Sequence, residues 1–242
     1  MRTITTKIIA HRGASGLVKV GNTLEAFQKA IEVKADGIEL DLRKTKDNII
    51  CVHHDPNIQD LIIKDHTYEE CNIAASNLGY HVPTLQETLE LCCGKILLDI
   101  EIKETGYEDE IINMVLKYYN ENEFYIRSFI YDAILNVKKV NPNIFTFLLV
   151  GEKFKPIKEL LSEIFPSKLL IKTKADGISP IRKYLMFGYI SRMKRQKTPI
   201  SVWTVNNHKL MKKLLKKNVD YIITDYPNIG ITLREQLNNR NQ

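Results

Sequence analysis

Gly37-Ile38-Glu39-Leu40-Asp41-Leu42-Arg43-Lys44-Thr45-Lys46-Asp47-Asn48-Ile49-Ile50-Cys51-Val52-His53-His54 is the stretch on which the fold reading turns. It holds two strand-like runs, at 37–42 and 49–53, with only Arg43 to Asn48 between them. No helical crossover fits so short a connection, so the two runs form an antiparallel hairpin turning at Lys46-Asp47-Asn48. Further short apolar runs lie near 8–11, 96–102, 125–129, 145–150, 177–179, 200–204 and 221–224. Helical patterns occupy 23–33, 84–92, 108–119, 132–140, 157–164, 181–195, 208–217 and 229–238. Alternating strand and helix predicts a parallel sheet with helical cover. Nine strand candidates exceed the eight of a barrel by one, and the return strand of the hairpin accounts for the excess. The expectation is an α/β chain folded as a (β/α)8 TIM-type barrel, with an extra antiparallel strand after strand 2. Residues 55–83 have no strong period and read as an inserted loop region.

The bulk composition agrees with one soluble domain over residues 1–242. Hydrophobic residues make 44% and charged residues 26% of the chain, and no apolar stretch is long enough to span a bilayer. Residues 1–10 lack the apolar centre and cleavage site of a signal peptide. Cys51, Cys71, Cys92 and Cys93 match no zinc spacing and read as reduced thiols, which suits a cytoplasmic protein. The net charge of +6 admits a polyanionic partner. Yet no basic stripe interleaved with aromatics lies outside residues 182–197, so nucleic acid is not an expected partner. That segment, Arg182 to Lys197, mixes six basic residues with apolar and aromatic ones. It reads as a barrel helix with a lysine-rich outer face, or as a helix lying on an anionic membrane.

Strand parity places the chemistry. Ile38, Leu40 and Leu42 share one face of their strand, and Glu39 and Asp41 share the other. In 96–103, Ile96, Leu98, Ile100 and Ile102 share one face, whereas Asp99, Glu101 and Lys103 share the opposite one. The apolar faces meet helices, so the charged faces point into the barrel near its C-terminal mouth, where such barrels carry their sites. Carboxylates crowded into one small volume repel and resist burial, and a hard divalent cation compensates them through oxygen ligands. Mg2+ or Ca2+ is expected over zinc. His11 ends the first strand. The hairpin sets residues 53–55 opposite 40–42, which brings His54 beside Asp41 at the same mouth. Two imidazoles there suit acid–base work near neutral pH. His53 has the opposite parity and reads as a packing residue.

These residues carry a resemblance. His11-Arg12-Gly13-Ala14, Asn22-Thr23-Leu24-Glu25-Ala26-Phe27, residues 35–41, His54-Asp55, Val82-Pro83-Thr84-Leu85, Asp99-Ile100-Glu101-Ile102-Lys103, Ser128-Phe129, Val202-Trp203-Thr204-Val205-Asn206 and residues 222–227 resemble the glycerophosphodiester phosphodiesterase family in order and spacing. The resemblance implies hydrolysis of glycerophosphodiesters to glycerol 3-phosphate and an alcohol. It implies His11 and His54 as the acid–base pair and Glu39, Asp41 and Glu101 as metal ligands. Arg12 and Lys103 would hold the phosphate, and Trp203 would line the glycerol pocket. A related lipid-acting phosphodiesterase of the lysophospholipase D or phospholipase type is the alternative, with a non-catalytic phosphodiester-binding barrel behind it. The chain departs from the family pattern at Gly21, where Glu is usual, at Asn48 in the hairpin turn, and in residues 58–64, where a Thr- and Gly-rich stretch is usual.

Overall fold

The computed structural model describes residues 3–151 and 156–240. Its strands are β1 (Lys7–Ala10), β2 (Gly37–Lys44), β3 (Ile50–Val52), β4 (Asn57–Ile58), β5 (Leu61–Ile62), β6 (Leu97–Ile102), β7 (Phe124–Ser128), β8 (Thr146–Val150), β9 (Gly177–Pro180), β10 (Ser201–Val202) and β11 (Tyr221–Thr224). Its helices are α1 (Leu24–Glu32), α2 (Tyr68–Asn77), α3 (Leu85–Cys92), α4 (Glu108–Val115), α5 (Tyr131–Val140), α6 (Ile157–Ile164), α7 (Ser167–Thr173), α8 (Tyr189–Arg195), α9 (His208–Lys216) and α10 (Pro227–Asn239). No helix among the described residues is long and apolar enough to cross a membrane.

Eight parallel strands run in the order β10-β11-β1-β2-β6-β7-β8-β9. Single bridges from Ile178 to Ile200 and from Ile181 to Trp203 bring the two edges together into a barrel. The extra strand is where the hairpin argument put it. β3 pairs antiparallel with β2, Leu42 opposite Val52, one residue from the expected register, so the His53 N–H donates to Asp41 O at 2.9 Å. Asn48 takes φ 65° in the turn, a conformation asparagine tolerates. Thr45 Oγ1 donates to Asp47 Oδ1 at 2.6 Å, and the backbone N–H of Thr45 donates to Ile49 O at 3.0 Å.

Local chemistry explains the helix starts. Thr23 caps α1, its side chain accepting from the backbone N–H of Ala26 at 3.2 Å. Phe27 and Ala30 on its inner face are wholly buried, and burying such a phenylalanine contributes about 1.5–3 kcal/mol. Thr84 and Glu87 form a reciprocal capping box on α3. Ile38, Leu40, Leu42, Leu98, Ile100 and Ile102 lie in one apolar cluster with α1, α3 and α4 residues, as parity required.

Two expectations are corrected. Residues 55–83 are not a loop. They form the small β4–β5 hairpin and then α2, which is capped by a Thr67–Glu70 box. The segment packs its own cluster of Cys51, Ile58, Ile63, Cys71, Ala75 and Val82. The single basic helix over residues 182–197 does not exist either. A 3-10 turn at Arg182–Tyr184 is followed by a break, and α8 starts only at Tyr189. Phe187 and Gly188 have φ of 51° and 67°, and that left-handed pair cannot propagate a right-handed helix.

The barrel interior is layered. Near the N-terminal end Tyr125, Phe147 and Tyr221 meet edge-to-face, with centroids 5.1–5.5 Å apart. Gly177 leaves room for this layer, since a Cβ there would stand 2.4 Å from the Phe147 ring. Above it Arg127, fully buried, pairs with Asp99 and donates to Ser179 Oγ and Ser201 Oγ at 3.3 and 3.0 Å. Above that layer the barrel opens at its C-terminal mouth.

Candidate active site

The mouth is built by register. Asp41 on β2 lies directly opposite Glu101 on β6, and Glu39 opposite Asp99. Glu39, Asp41 and Glu101 are each buried, and each offers a carboxylate oxygen within 4.8 Å of the others'. Three such oxygens, all hard donors, fit a divalent cation such as Mg2+ or Ca2+.

Other groups aim these carboxylates. The Arg12 backbone N–H donates to Glu39 Oε2 at 2.8 Å. Asn22 Nδ2 donates to Asp41 Oδ2 at 2.8 Å. Lys103 Nζ bridges Asp41 Oδ1 and Glu101 Oε1 at 2.9 and 2.5 Å. The electrostatics divide the three. Burial raises the Asp41 carboxyl, but Lys103 and Arg12 outweigh it and hold the group down at about 2. Burial, and then repulsion from Asp41, push Glu101 up to about 8 and also raise Glu39. Burial and mutual repulsion thus resist ionising all three carboxyls together, and a cation bound among them would relieve that repulsion.

The histidines flank the carboxylates. His11 follows β1. Its Nδ1 lies 2.6 Å from Asp225 Oδ1, and its Nε2 is 4.0 Å from Glu39 Oε2. Burial disfavours its charged form, yet the Asp225 hydrogen bond and the field of Glu39 prevail and raise its pKa. Asp225 is itself held by Asn206 Nδ2 and by Ser15 Oγ. His54 follows β3. Its Nδ1 lies 2.7 Å from Asp55 Oδ1, and its carbonyl accepts from Arg43 Nε and Nη2 at 3.1 and 2.7 Å. Burial lowers its pKa, and Lys103 and Arg12 add to this against the pull of Asp41. The two imidazoles are thus biased in opposite directions. His53 packs instead on Tyr80, ring centroids 6.4 Å apart.

His11, Arg12, Glu39, Asp41, His54, Glu101, Lys103 and Trp203 all line one cavity of about 580 Å³. Every residue singled out from the sequence as a site candidate is among them. Trp203 donates Nε1–H to Ser179 O at 2.9 Å and meets Phe129 edge-on at 5.6 Å. With Ile130, Leu149 and Ile181 these rings make the apolar wall. An adjoining polar hollow of about 550 Å³ shares His11, Arg12 and His54 with the cavity and reaches Tyr80 in the inserted segment. Gly21 lies on that hollow. A Cβ there would stand 3.1 Å from Arg12 Cβ. Buried Arg12 Nε makes no hydrogen bond among the described residues and stands 3.5 Å from Asp41 Oδ2.

Sequence reasoning gave no role to Asp225, Asn22, Asn206 or Phe129. Asp225 had a legible signal, since it sits at the C-terminal end of the last barrel strand, where site residues collect. The partnership with His11 had none.

The family model of the glycerophosphoryl diester phosphodiesterases matches residues 11–229. A glycerophosphodiester phosphodiesterase of Caldanaerobacter subterraneus is 31% identical, over 94% of this chain and 97% of that protein. A human lysophospholipase D, GDPD1, is 25% identical, over 97% of this chain and 87% of its own. A crystal structure of a glycerophosphodiester phosphodiesterase from Parabacteroides distasonis superposes with a TM-score of 0.77 at 27% identity, covering 100% of both chains.

Proposed function

This chain belongs to the glycerophosphoryl diester phosphodiesterase family, and from that membership and the mouth geometry we propose that it hydrolyses glycerophosphodiesters to glycerol 3-phosphate and an alcohol. The observation that carries the reading is the pair of oppositely biased imidazoles, His11 and His54, on one cavity with three convergent carboxylates. Pure phosphodiester binding needs no acid–base pair.

Each residue then has a task. Glu39, Asp41 and Glu101 hold Mg2+ or Ca2+. When bound, the cation supplies charge stabilisation to the phosphoryl oxygens as negative charge builds on them. Arg12 and Lys103 hold the phosphate, and the buried, unsatisfied Nε–H of Arg12 is a donor suited to one of its oxygens. One histidine takes the proton from the attacking oxygen and the other protonates the departing alkoxide. The opposed shifts, downward for His54 through burial and upward for His11 through Asp225 and Glu39, favour His54 as the base and His11 as the acid. Trp203 and Phe129 bound the glycerol end, while the polar hollow beside Tyr80 receives the alcohol.

A second reading has its own support. The apolar wall of Phe129, Ile130, Leu149, Ile181 and Trp203 and the likeness to the human lysophospholipase D both fit a lysophospholipid substrate cleaved by the same residues.

The test is glycerol 3-phosphate release from glycerophosphocholine and glycerophosphoethanolamine by metal-stripped protein. Mg2+, Ca2+ or neither is added, with His11→Ala and Glu39→Ala alongside. Metal-dependent release that both substitutions abolish is the expected result. Release from lysophospholipids alone selects the second reading, and no release from either class overturns the assigned reaction.

A further inference from the structure

Between Gly177 and Val219 the chain carries eleven Lys and Arg residues and no Asp or Glu. Of 35 basic residues in all, the other 24 face 29 acidic ones. The positive excess of the protein therefore resides in the segment that forms β9, α8, β10 and α9. α8 and α9 border a groove into which Arg182, Lys183, Lys213 and Lys217 project.

Beside these cations the loop after β9 presents bare apolar groups. Phe187 is 74% and Met186 51% exposed. The exposure is built in. Phe187 and Gly188 both take left-handed φ, a conformation that costs a bulky residue free energy. Arg192 fixes the loop, donating to Phe187 O at 3.0 Å and to Ile164 O at 2.7 Å, with its guanidinium 4.5 Å from the Phe165 ring centroid. The loop also adjoins the active site. Ile181 lines the cavity, and the Arg182 backbone N–H donates to Trp203 O at 2.8 Å.

We propose that the loop 182–188 and the adjoining α8–α9 face dock this protein on an anionic lipid surface, with Met186 and Phe187 entering the headgroup layer beside the barrel mouth. A stretch of eleven basic and no acidic residues draws the protein to anionic lipid, and each cation near the surface adds to the attraction. The apolar pair supplies what a purely polyanionic partner would leave unused. Docking there lets a phosphodiester released from the bilayer reach the cavity over a short path. That consequence rests on the reaction proposed above, whereas docking itself does not.

Sedimentation with vesicles tests it. Wild-type protein should pellet with vesicles of phosphatidylcholine mixed with an equal amount of phosphatidylglycerol. It should stay in solution with phosphatidylcholine alone, and added salt should release it. Lys183→Glu with Lys213→Glu should weaken partitioning about fivefold or more. Met186→Ser with Phe187→Ser should weaken it too, while hydrolysis of soluble glycerophosphocholine is unchanged in both double variants. Failure of the wild type to bind anionic vesicles at low salt would overturn the proposal. So would unaltered binding by the Met186/Phe187 variant, or binding of RNA in place of vesicles. Vesicle binding by a protein inactive on every phosphodiester would keep the docking surface and reject the reaction.

Discussion

His11 Nδ1 and Asp225 Oδ1 stand 2.6 Å apart although 214 residues separate them in the chain. The contact fixes one ring nitrogen and leaves Nε2 directed toward Glu39, so Asp225 positions the imidazole and stabilises its charged form. In Asp225→Asn the His11 pKa should fall. The limb of the kcat/KM profile that reports His11 then moves to lower pH, and kcat drops roughly a hundredfold with KM little changed. An unshifted profile would show that Asp225 has only a structural role.

Metal removal should act on both activity and folding. Chelation should abolish turnover, and Mg2+ or Ca2+ should restore it. Because Glu39, Asp41 and Glu101 converge only in the native state, added cation should raise the melting temperature of the wild type. The shift should vanish in Glu39→Ala and Glu101→Ala, as thermal melts with and without cation will show.

The Arg127–Asp99 pair beneath the mouth is buried on both sides. Removing the guanidinium alone strands a carboxyl that burial already pushes up to about 7. Arg127→Ala should therefore cost about 3–5 kcal/mol in urea denaturation. The double substitution Arg127→Met with Asp99→Leu should recover much of that loss, because no uncompensated charge remains.

The α3 capping box gives a pH-dependent effect away from the site. Burial opposes ionisation of Glu87, but its hydrogen bonds with the Thr84 backbone and hydroxyl prevail and lower its pKa below 4.5. A depressed carboxyl contributes stability above its unfolded pKa and loses it as pH falls through the folded value. Glu87→Gln should thus be less stable than wild type at pH 7, and the gap should narrow as pH drops below 4.5. Thr84→Ala should cost about 1 kcal/mol. Denaturation at stepped pH checks both.

Much of the fold and of the site was legible because the relevant physics is local. Alternation along β2 and β6 assigned Glu39, Asp41, Glu101 and Lys103 to the inner face, since a strand's side chains have a fixed period of two. A six-residue connection forced the β2–β3 hairpin, whose end carries His54 to the cavity that Asp41 lines. Thr23 and Thr84 marked helix starts through their own hydroxyls. Where local signals were weak or conflicting, the reading failed. α2 hides because its inner face is only Cys71 and Ala75, too small to show an apolar period. The basic run at 182–197 has helical composition throughout, but the left-handed turn at Phe187 and Gly188 interrupts it.

By itself, then, the sequence determined the barrel, its extra hairpin and the inner-facing acidic set, because strand parity and connection length act over a few residues. Only the tertiary structure decided that Asp225 orients His11, that Asn22 aims Asp41, that Arg127 pairs with Asp99 beneath the mouth, and that Phe187 stands bare beside the lysines. Those relations depend on barrel closure, which sets residues from opposite ends of the chain within hydrogen-bond distance and leaves no periodic trace of having done so.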